Sequence, residues 1–363
     1  MRARLRDLGL KVGYLPTGPL NAITDVAGVR VGHVTVIEDN PHVLRTGVTA
    51  IHPLNVPYWE ETVFAGFHNY NGFGEVTGSH WIEETGILTS PICISSAFSV
   101  GVLRDTLLAN PQRNGIDERL HQPMAAETFD GVLNDGWHGP ITRAHVEEAL
   151  AAAKTGPVEE GAVGGGTGMM CHEFKGGIGT SSRLVNGPHG TFTVGALVQS
   201  NYGNRKDLTI DGVPVGRHIG YDITESPQRR DEGSIVIIVA TDAPLLPPQC
   251  RRLARRAGIG LGRVGGFGSN RSGDFIIAFS TANRLPFQET GIVEGLKMYP
   301  NEDMNDLFRA VAEAVEEAIV NSMTAAETMQ GKAGTIVHAL PLDRLVEVMA
   351  LYGRGPEADR AGA

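Results

Sequence analysis

Ser234 follows Gly233 where a charged segment, Arg229-Arg230-Asp231-Glu232, gives way to the strand-forming run Ile235-Val236-Ile237-Ile238-Val239-Ala240. A peptide bond broken between Gly233 and Ser234 would leave one residue carrying both a hydroxyl and a free α-amine. Such an amine can act as the base that activates the hydroxyl as a nucleophile. Taken alone, a Gly-Ser pair before a strand is more often a turn feeding the core. Further along, Ser272 and Asp274 flank Gly273 just ahead of an apolar run. Alternating side chains share a face of an extended backbone, so this hydroxyl and carboxylate can line one pocket wall. Glu127 and Asn201 are polar residues at the edges of expected elements, where a surface role is the default.

Other motifs carry less. Gly164-Gly165-Gly166-Thr167-Gly168 offers bare backbone amides, but it lacks the Gly-Lys-Ser/Thr ending of a phosphate loop and the spacing of a dinucleotide fingerprint. A structural loop against a neighbouring backbone is the better reading. His68, His80 and Glu83 fall in one region without a metal-ligand spacing, so neither metal nor cofactor is expected. No G-x-S-x-G elbow occurs. Arg251, Arg252, Arg255 and Arg256 make a basic helix face of the solvated or subunit-contact kind.

The elements that must position these residues follow from periodicity. Strands are expected over 29–36, 46–51, 92–96, 191–199, from Ser234 to Ala240, and over 275–280, where apolar and β-branched residues alternate or run together. Helical spacing covers 99–110, 145–153, a stretch after Pro248 through Leu253, 304–322 and 342–351. Asp242 or a neighbour is the expected cap of the third of these helices. Three glycines within 69–78 suggest a loop held close to another segment. Residues 203–232, with Pro214, Pro227 and several charges, read as an exposed connection leading into Ser234. Strands and helices mix throughout, which favours antiparallel or mixed sheets covered by helices.

Composition narrows the class. The chain has 363 residues, 41% hydrophobic and 20% charged, as in an ordinary soluble protein. Its 47 glycines make up about 13%, nearly twice the usual share of roughly 7%, without a period. Many tight turns and close backbone approaches account for them. A net charge of −10 argues against a nucleic-acid partner. Cys93, Cys171 and Cys250 form an odd set without a CxxC, which suits a reducing, cytoplasmic setting. Neither a secretory signal nor a run of the ~20 apolar residues needed to span a membrane is seen.

Several stretches together resemble one family, the self-processing DmpA/BapA-type aminopeptidases (L-aminopeptidase/D-esterase, or β-aminopeptidase). They are 23–33, the 164–177 glycine block, Gly233-Ser234 with Ala240-Thr241-Asp242-Ala243-Pro244-Leu245, Ser272-Gly273-Asp274, and Ala278-Phe279-Ser280-Thr281-Ala282-Asn283. The resemblance implies one domain over 1–363, cut by the protein itself into 1–233 and 234–363. It also implies a mixed α/β fold, a four-layer αββα sandwich resembling N-terminal-nucleophile hydrolases with different connectivity. By the same resemblance Ser234 is the nucleophile with its own amine as base, and Asn201 stabilises the oxyanion. Ser272 and Asp274 position the nucleophile, and Glu127 pairs with the free amino group of a small peptide, amide or ester substrate. A tetramer of αβ units is implied as well. Family members can have tyrosine where this chain has Phe129, and loss of that hydroxyl bears on rate or substrate preference. Two other readings stand beside this one. An acyltransferase of the ornithine-acetyltransferase type would expose threonine rather than serine, and a glycine-rich binding protein would have no catalysis.

Overall fold

The computed structural model describes residues 2–116, 120–227, 232–288 and 290–356. Residues 228–231, with the charged residues Arg229, Arg230 and Asp231, therefore lie outside the described residues. The strands are β1 (Arg30–Glu38), β2 (Leu44–His52), β3 (Glu61–Gly72), β4 (Ile87–Leu88), β5 (Ile92–Ser96), β6 (Met124–Thr128), β7 (Met170–Cys171), β8 (Phe174–Lys175), β9 (Gly177–Gly187), β10 (Gly190–Asn201), β11 (Glu232–Thr241), β12 (Arg271–Pro286), β13 (Met329–Gln330) and β14 (Ile336–Val337). The helices are α1 (Ser79–Thr85), α2 (Val100–Arg113), α3 (Arg143–Ala151), α4 (Val215–His218), α5 (Pro247–Val264), α6 (Asn305–Thr324) and α7 (Leu342–Leu351).

Two sheets stack face to face, one ordered β1-β2-β5-β6 and the other β4-β3-β12-β11-β10-β9. Helices cover both outer faces. Val48, Ala50, Leu103, Leu107, Val146 and Ala149 join α2 and α3 to the smaller sheet. Ile235, Ile237, Val239, Leu253, Val311 and Val315 join α5 and α6 to the larger one. Between the sheets lie Ile51, Ile94, Val236, Ile238, Ile277 and Phe279. This is the expected αββα sandwich.

β11 explains its own sequence. It is a central strand, antiparallel to β10 and parallel to β12, so both of its faces are buried. Such a strand reads as a continuous apolar run rather than an alternation. Its odd-numbered residues face α5 and α6, and its even-numbered ones face the second sheet. Each large aliphatic side chain so buried contributes about 1.5–3 kcal/mol. Ser234 falls on the even-numbered, sheet-to-sheet side.

Three expectations need correction. Residues 203–232 are not simply an exposed connection. Leu208, Ile210, Val213, Val215 and Ile219 are buried in the helix-side core, and the Arg205 guanidinium is buried against the Phe174 ring. Their apolar spacing follows short turns and so has no helix or strand period. Asp242 does not cap α5. Its carboxylate accepts the Thr193 N–H at 2.7 Å, while Pro247 and Pro248 start the helix and Gln249 Oε1 accepts the Leu246 N–H at 3.1 Å. Proline suits the first helical turn because its φ is already set and no N–H is needed there. The loop expected over 69–78 is in its first part the end of β3.

α5 also runs past the expected Leu253 to Val264, through Gly258, Gly260 and Gly262. A Cβ on Gly260 would stand 2.6 Å from the Ala312 carbonyl oxygen of α6. The glycine that weakens the helix locally is what lets the two helices pack closely. The glycine block is a structural loop, as expected. Gly164 and Gly165 donate their N–H groups to the Thr35 and Thr49 hydroxyls of β1 and β2, at 2.8 and 3.1 Å. Among the described residues no helix is long and apolar enough to cross a membrane.

Candidate active site

Ser234 stands near the start of β11, directly opposite Asn201, the last residue of β10. Cross-strand partners project to the same face of a sheet, so the hydroxyl and the amide emerge together between the two sheets. There they meet the end of β6. The Phe129 N–H donates to Ser234 Oγ at 3.3 Å, and Asn201 Nδ2 donates to the Phe129 carbonyl at 2.9 Å. Asn201 Oδ1 in turn accepts the Met170 N–H at 2.9 Å, which fixes which end of the amide points to Phe129. Two residues earlier on β10, Gln199 Nε2 donates to the Thr128 hydroxyl at 2.8 Å and to the Ser95 carbonyl at 2.9 Å. β10 thus holds the end of β6 against the start of β11 by two amide side chains, Gln199 and Asn201.

These residues open onto a cavity of 1070 Å³ whose lining includes Glu127, Phe129, Asn201, Ser226, Ser234 and Arg271. Among the described lining residues there is no histidine, and the ionisable side chains are Glu127 and Arg271. Glu127 is buried, and its Oε1 accepts the Glu75 N–H at 3.1 Å. Burial raises its pKa to about 7, with a smaller push from the Glu75 and Asp130 carboxylates, while the Glu75 N–H opposes the shift. A carboxylate so placed gains most by meeting a cation.

Ser272 and Asp274 line one pocket wall together, and it is not that of the Ser234 cavity. Their strand neighbours on β11 are Gly233 and Ile235, so they project to the helix side, opposite to Ser234. Ser272 Oγ donates to Asp274 Oδ1 at 2.5 Å. Together they line a separate void of 10 Å³ with Tyr202 and Leu261 rather than a wall of the Ser234 cavity. Burial lifts Asp274 to about 6 against the Ser272 hydrogen bond. The pair flanks the main chain of Ser234 from behind and does not approach its hydroxyl from the cavity side.

Sequence reasoning missed the part played by main chain. Phe129 was singled out for its ring, which is half-exposed and packs on Phe98 at 5.6 Å between centroids. Its N–H and C=O are what touch Ser234 and Asn201, and main-chain groups leave no signature in residue type. Lys175 was passed over as well. Its ammonium is fully buried and donates to the carbonyls of Met169 at 2.8 Å, Gly176 at 2.7 Å and Gly166 at 3.4 Å. Burial pulls this group down to about 7 against a smaller opposing effect of Cys171, and its three N–H bonds have three carbonyl acceptors. It holds in place the turn whose Met170 N–H orients Asn201.

Comparison with known proteins fits this geometry. The profile of peptidase family S58 matches residues 21–337. The chain belongs to peptidase family S58. As a family member it is an aminopeptidase. It is 43% identical to the β-peptidyl aminopeptidase BapA of Sphingosinicella xenopeptidilytica over 366 aligned residues, which cover 95% of this chain and 90% of that protein. Its fold superposes with a TM-score of 0.91 on a Burkholderia sp. β-aminopeptidase, at 49% identity, covering 96% of this chain and 99% of the other. The L-aminopeptidase D-Ala-esterase/amidase of Ochrobactrum anthropi, described as a prototype for the serine aminopeptidases and a new variant of the Ntn hydrolase fold, gives 0.90 at 44% identity, with 97% and 99% covered. The S58 aminopeptidase described here shares that architecture over nearly its whole length.

Two outcomes follow from the site. Replacing Asn201 by alanine removes the one side-chain amide beside Ser234, and kcat is expected to fall about 10²–10³-fold with KM little changed. A KM effect of similar size with kcat intact would show that Asn201 only binds substrate. The second concerns pH. Glu127 can hold an ammonium group only when ionised, and its pKa is raised to about 7. In kcat/KM for substrates with a free amine, activity is therefore expected above that value and lost as pH falls through it. A profile flat from pH 8 to 5 would remove Glu127 from substrate recognition.

Proposed function

We propose that this chain cuts itself between Gly233 and Ser234, and that the freed Ser234 is the nucleophile of an N-terminal-serine aminopeptidase. The observation that carries this reading is the meeting of Ser234 Oγ, the Phe129 N–H and the Asn201 amide in a cavity that also holds Glu127 and no histidine among its described residues. With no imidazole at hand, the α-amine released by the cut is the natural base. Processing would begin with attack of Ser234 Oγ on the Gly233 carbonyl, giving an ester that water opens to 1–233 and 234–363. Ser226 and Pro227, near the end of the preceding connection, line the same cavity. In the uncut chain that connection competes with substrate for the site.

In the processed enzyme, Glu127 receives the substrate's ammonium group and so selects unblocked N-termini. Ser234 Oγ attacks the first carbonyl as its proton passes to the α-amine. Negative charge developing on the carbonyl oxygen is met by the Asn201 amide and the Phe129 N–H. Collapse expels the leaving amine or alcohol, which takes the proton, and water then hydrolyses the acyl-enzyme. Ser272 and Asp274, behind the Ser234 main chain, are suited to orient the new ammonium. The relatives are called β-peptidyl aminopeptidase and L-aminopeptidase D-Ala-esterase/amidase. On that footing the substrates are amides or esters of small L-, D- or β-amino acids. A tetramer of αβ units in the cytoplasm completes the proposal, and the three buried free cysteines suit a reducing compartment.

The test is a panel of L-alanyl, D-alanyl and β-alanyl amides, each with its N-acetylated counterpart. Hydrolysis of one or more free-amine members and none of the blocked ones is expected. Equal turnover of blocked substrates would overturn the role of Glu127. Acyl transfer to ornithine without hydrolysis would replace the peptidase reading by the acyltransferase one.

A further inference from the structure

We infer that His42, Asp135 and His138 form a binding site for a divalent transition metal of the zinc class, where the approach to β2 meets the loop that leaves β6. His42 lies just before β2, while Asp135 and His138 lie in the loop that leaves β6. His42 Nδ1 and His138 Nε2 both approach Asp135 Oδ2, at 3.3 and 3.6 Å. All three ligand atoms lie within 4.8 Å of one another.

The spacing is the first argument. Ligands bound to one tetrahedral zinc at about 2.0–2.1 Å stand roughly 3.3–3.4 Å apart. A direct imidazolium–carboxylate hydrogen bond closes to about 2.7–2.9 Å. The observed separations are those of neighbours around an ion, longer than those of a charged pair in contact. The two imidazoles also stack at 3.6 Å between centroids and 15° between planes. In near-parallel rings the nitrogen lone pairs do not converge, so one imidazole has to turn out of the stack for both to reach an ion beside Asp135.

Ligand type is the second argument. Two imidazoles and one carboxylate suit zinc and its neighbours, whereas magnesium and calcium take oxygen ligands. His138 is exposed and the other two residues are half-buried, so solvent can reach a fourth position. The surroundings are already braced, since the Asp135 N–H donates to the Val43 carbonyl at 2.9 Å. Trp137 packs on Phe98 at 4.9 Å, and Phe98 on Phe129 at 5.6 Å. A bound ion would therefore clamp the loop that begins at Phe129, whose N–H touches Ser234, onto the approach to β2.

The experiment is calorimetric titration of zinc chloride into the full chain, with magnesium chloride as the control metal. It is repeated on the His42→Gln and His138→Gln variants, with Tm recorded with and without zinc. The expected result is one zinc site per chain that ignores magnesium, weakened about 10–100-fold or more in each variant. Zinc should raise the Tm of the parent chain and not that of His138→Gln, whose exposed position makes misfolding an unconvincing explanation. Absence of zinc binding by the parent chain, or binding unchanged in both variants, overturns the site and leaves two imidazoles sharing a carboxylate.

Discussion

Ser234→Ala is expected to accumulate as one uncut chain of 38.7 kDa and to hydrolyse no amino-acyl amide. Two losses coincide in this substitution. Without the hydroxyl nothing attacks the Gly233 carbonyl, so no N-terminal amine is released. Without the hydroxyl no acyl-enzyme forms either, even if a cut were supplied from outside. Removal of a serine nucleophile costs on the order of 10⁶ in kcat in enzymes that work through an acyl intermediate. Ser234→Thr keeps a hydroxyl in the same strand position and is expected to be cut, more slowly because of the added methyl group. The fold should survive both changes, since β11 is anchored by the buried run from Ile235 to Ala240 on its two faces. An alanine variant that still divides at this position would dismiss Ser234 as the agent of processing.

Glu127→Gln should leave self-cleavage intact and cut kcat/KM for free-amine substrates about 10²–10⁴-fold. A buried carboxylate that meets an ammonium group is a close charge pair, and removing one partner costs about 3–5 kcal/mol. The loss should appear chiefly in KM. That split matters because Glu127, with its pKa raised to about 7, is also the only carboxylate among the described residues lining the cavity. Among those residues it is thus the alternative to the α-amine as base. Were it the base, the same variant would lose kcat, keep KM, and fail to process. The pH profile supplies an independent reading: the inflection that Glu127 contributes near 7 should be lost in the glutamine variant, leaving the one set by the Ser234 α-amine, ordinarily about 7.7–8.0.

Much of this could be read from residue types and their periods, and what could not be read has physical reasons. β5 and α7 coincide with their expected ranges because each is a plain apolar run or a clean helical stripe. β9 escaped notice. Its Gly177-Ile178-Gly179-Thr180-Ser181-Ser182-Arg183 reads as polar loop, yet every one of these residues is buried. The polarity is satisfied from α6: Arg183 pairs with Glu317 at 2.6 Å and Glu313 at 3.3 Å, and the Ser181 hydroxyl donates to the Ala314 carbonyl at 2.6 Å. Buried polar groups with distant partners defeat a reading based on hydrophobic pattern.

The candidate site divides in the same way. Ser234, Asn201 and Glu127 line one cavity, two of them by direct register across β10 and β11. Ser272 and Asp274 were rightly placed on one face of a strand, but which face could not be known without the sheet. The Phe129 main chain, the Lys175 ammonium and the His42–Asp135–His138 cluster were invisible. The first is backbone, the second acts on carbonyls, and the third joins residues that only the fold makes neighbours.

The most direct test of the central claim is the intact mass and N-terminal sequence of the purified protein, aged under native conditions and then denatured. Two polypeptides are expected, residues 1–233 and residues 234–363, the second beginning Ser-Ile-Val-Ile. A single 38.7 kDa chain that remains uncut, or a second fragment beginning at any residue other than Ser234, would contradict the account.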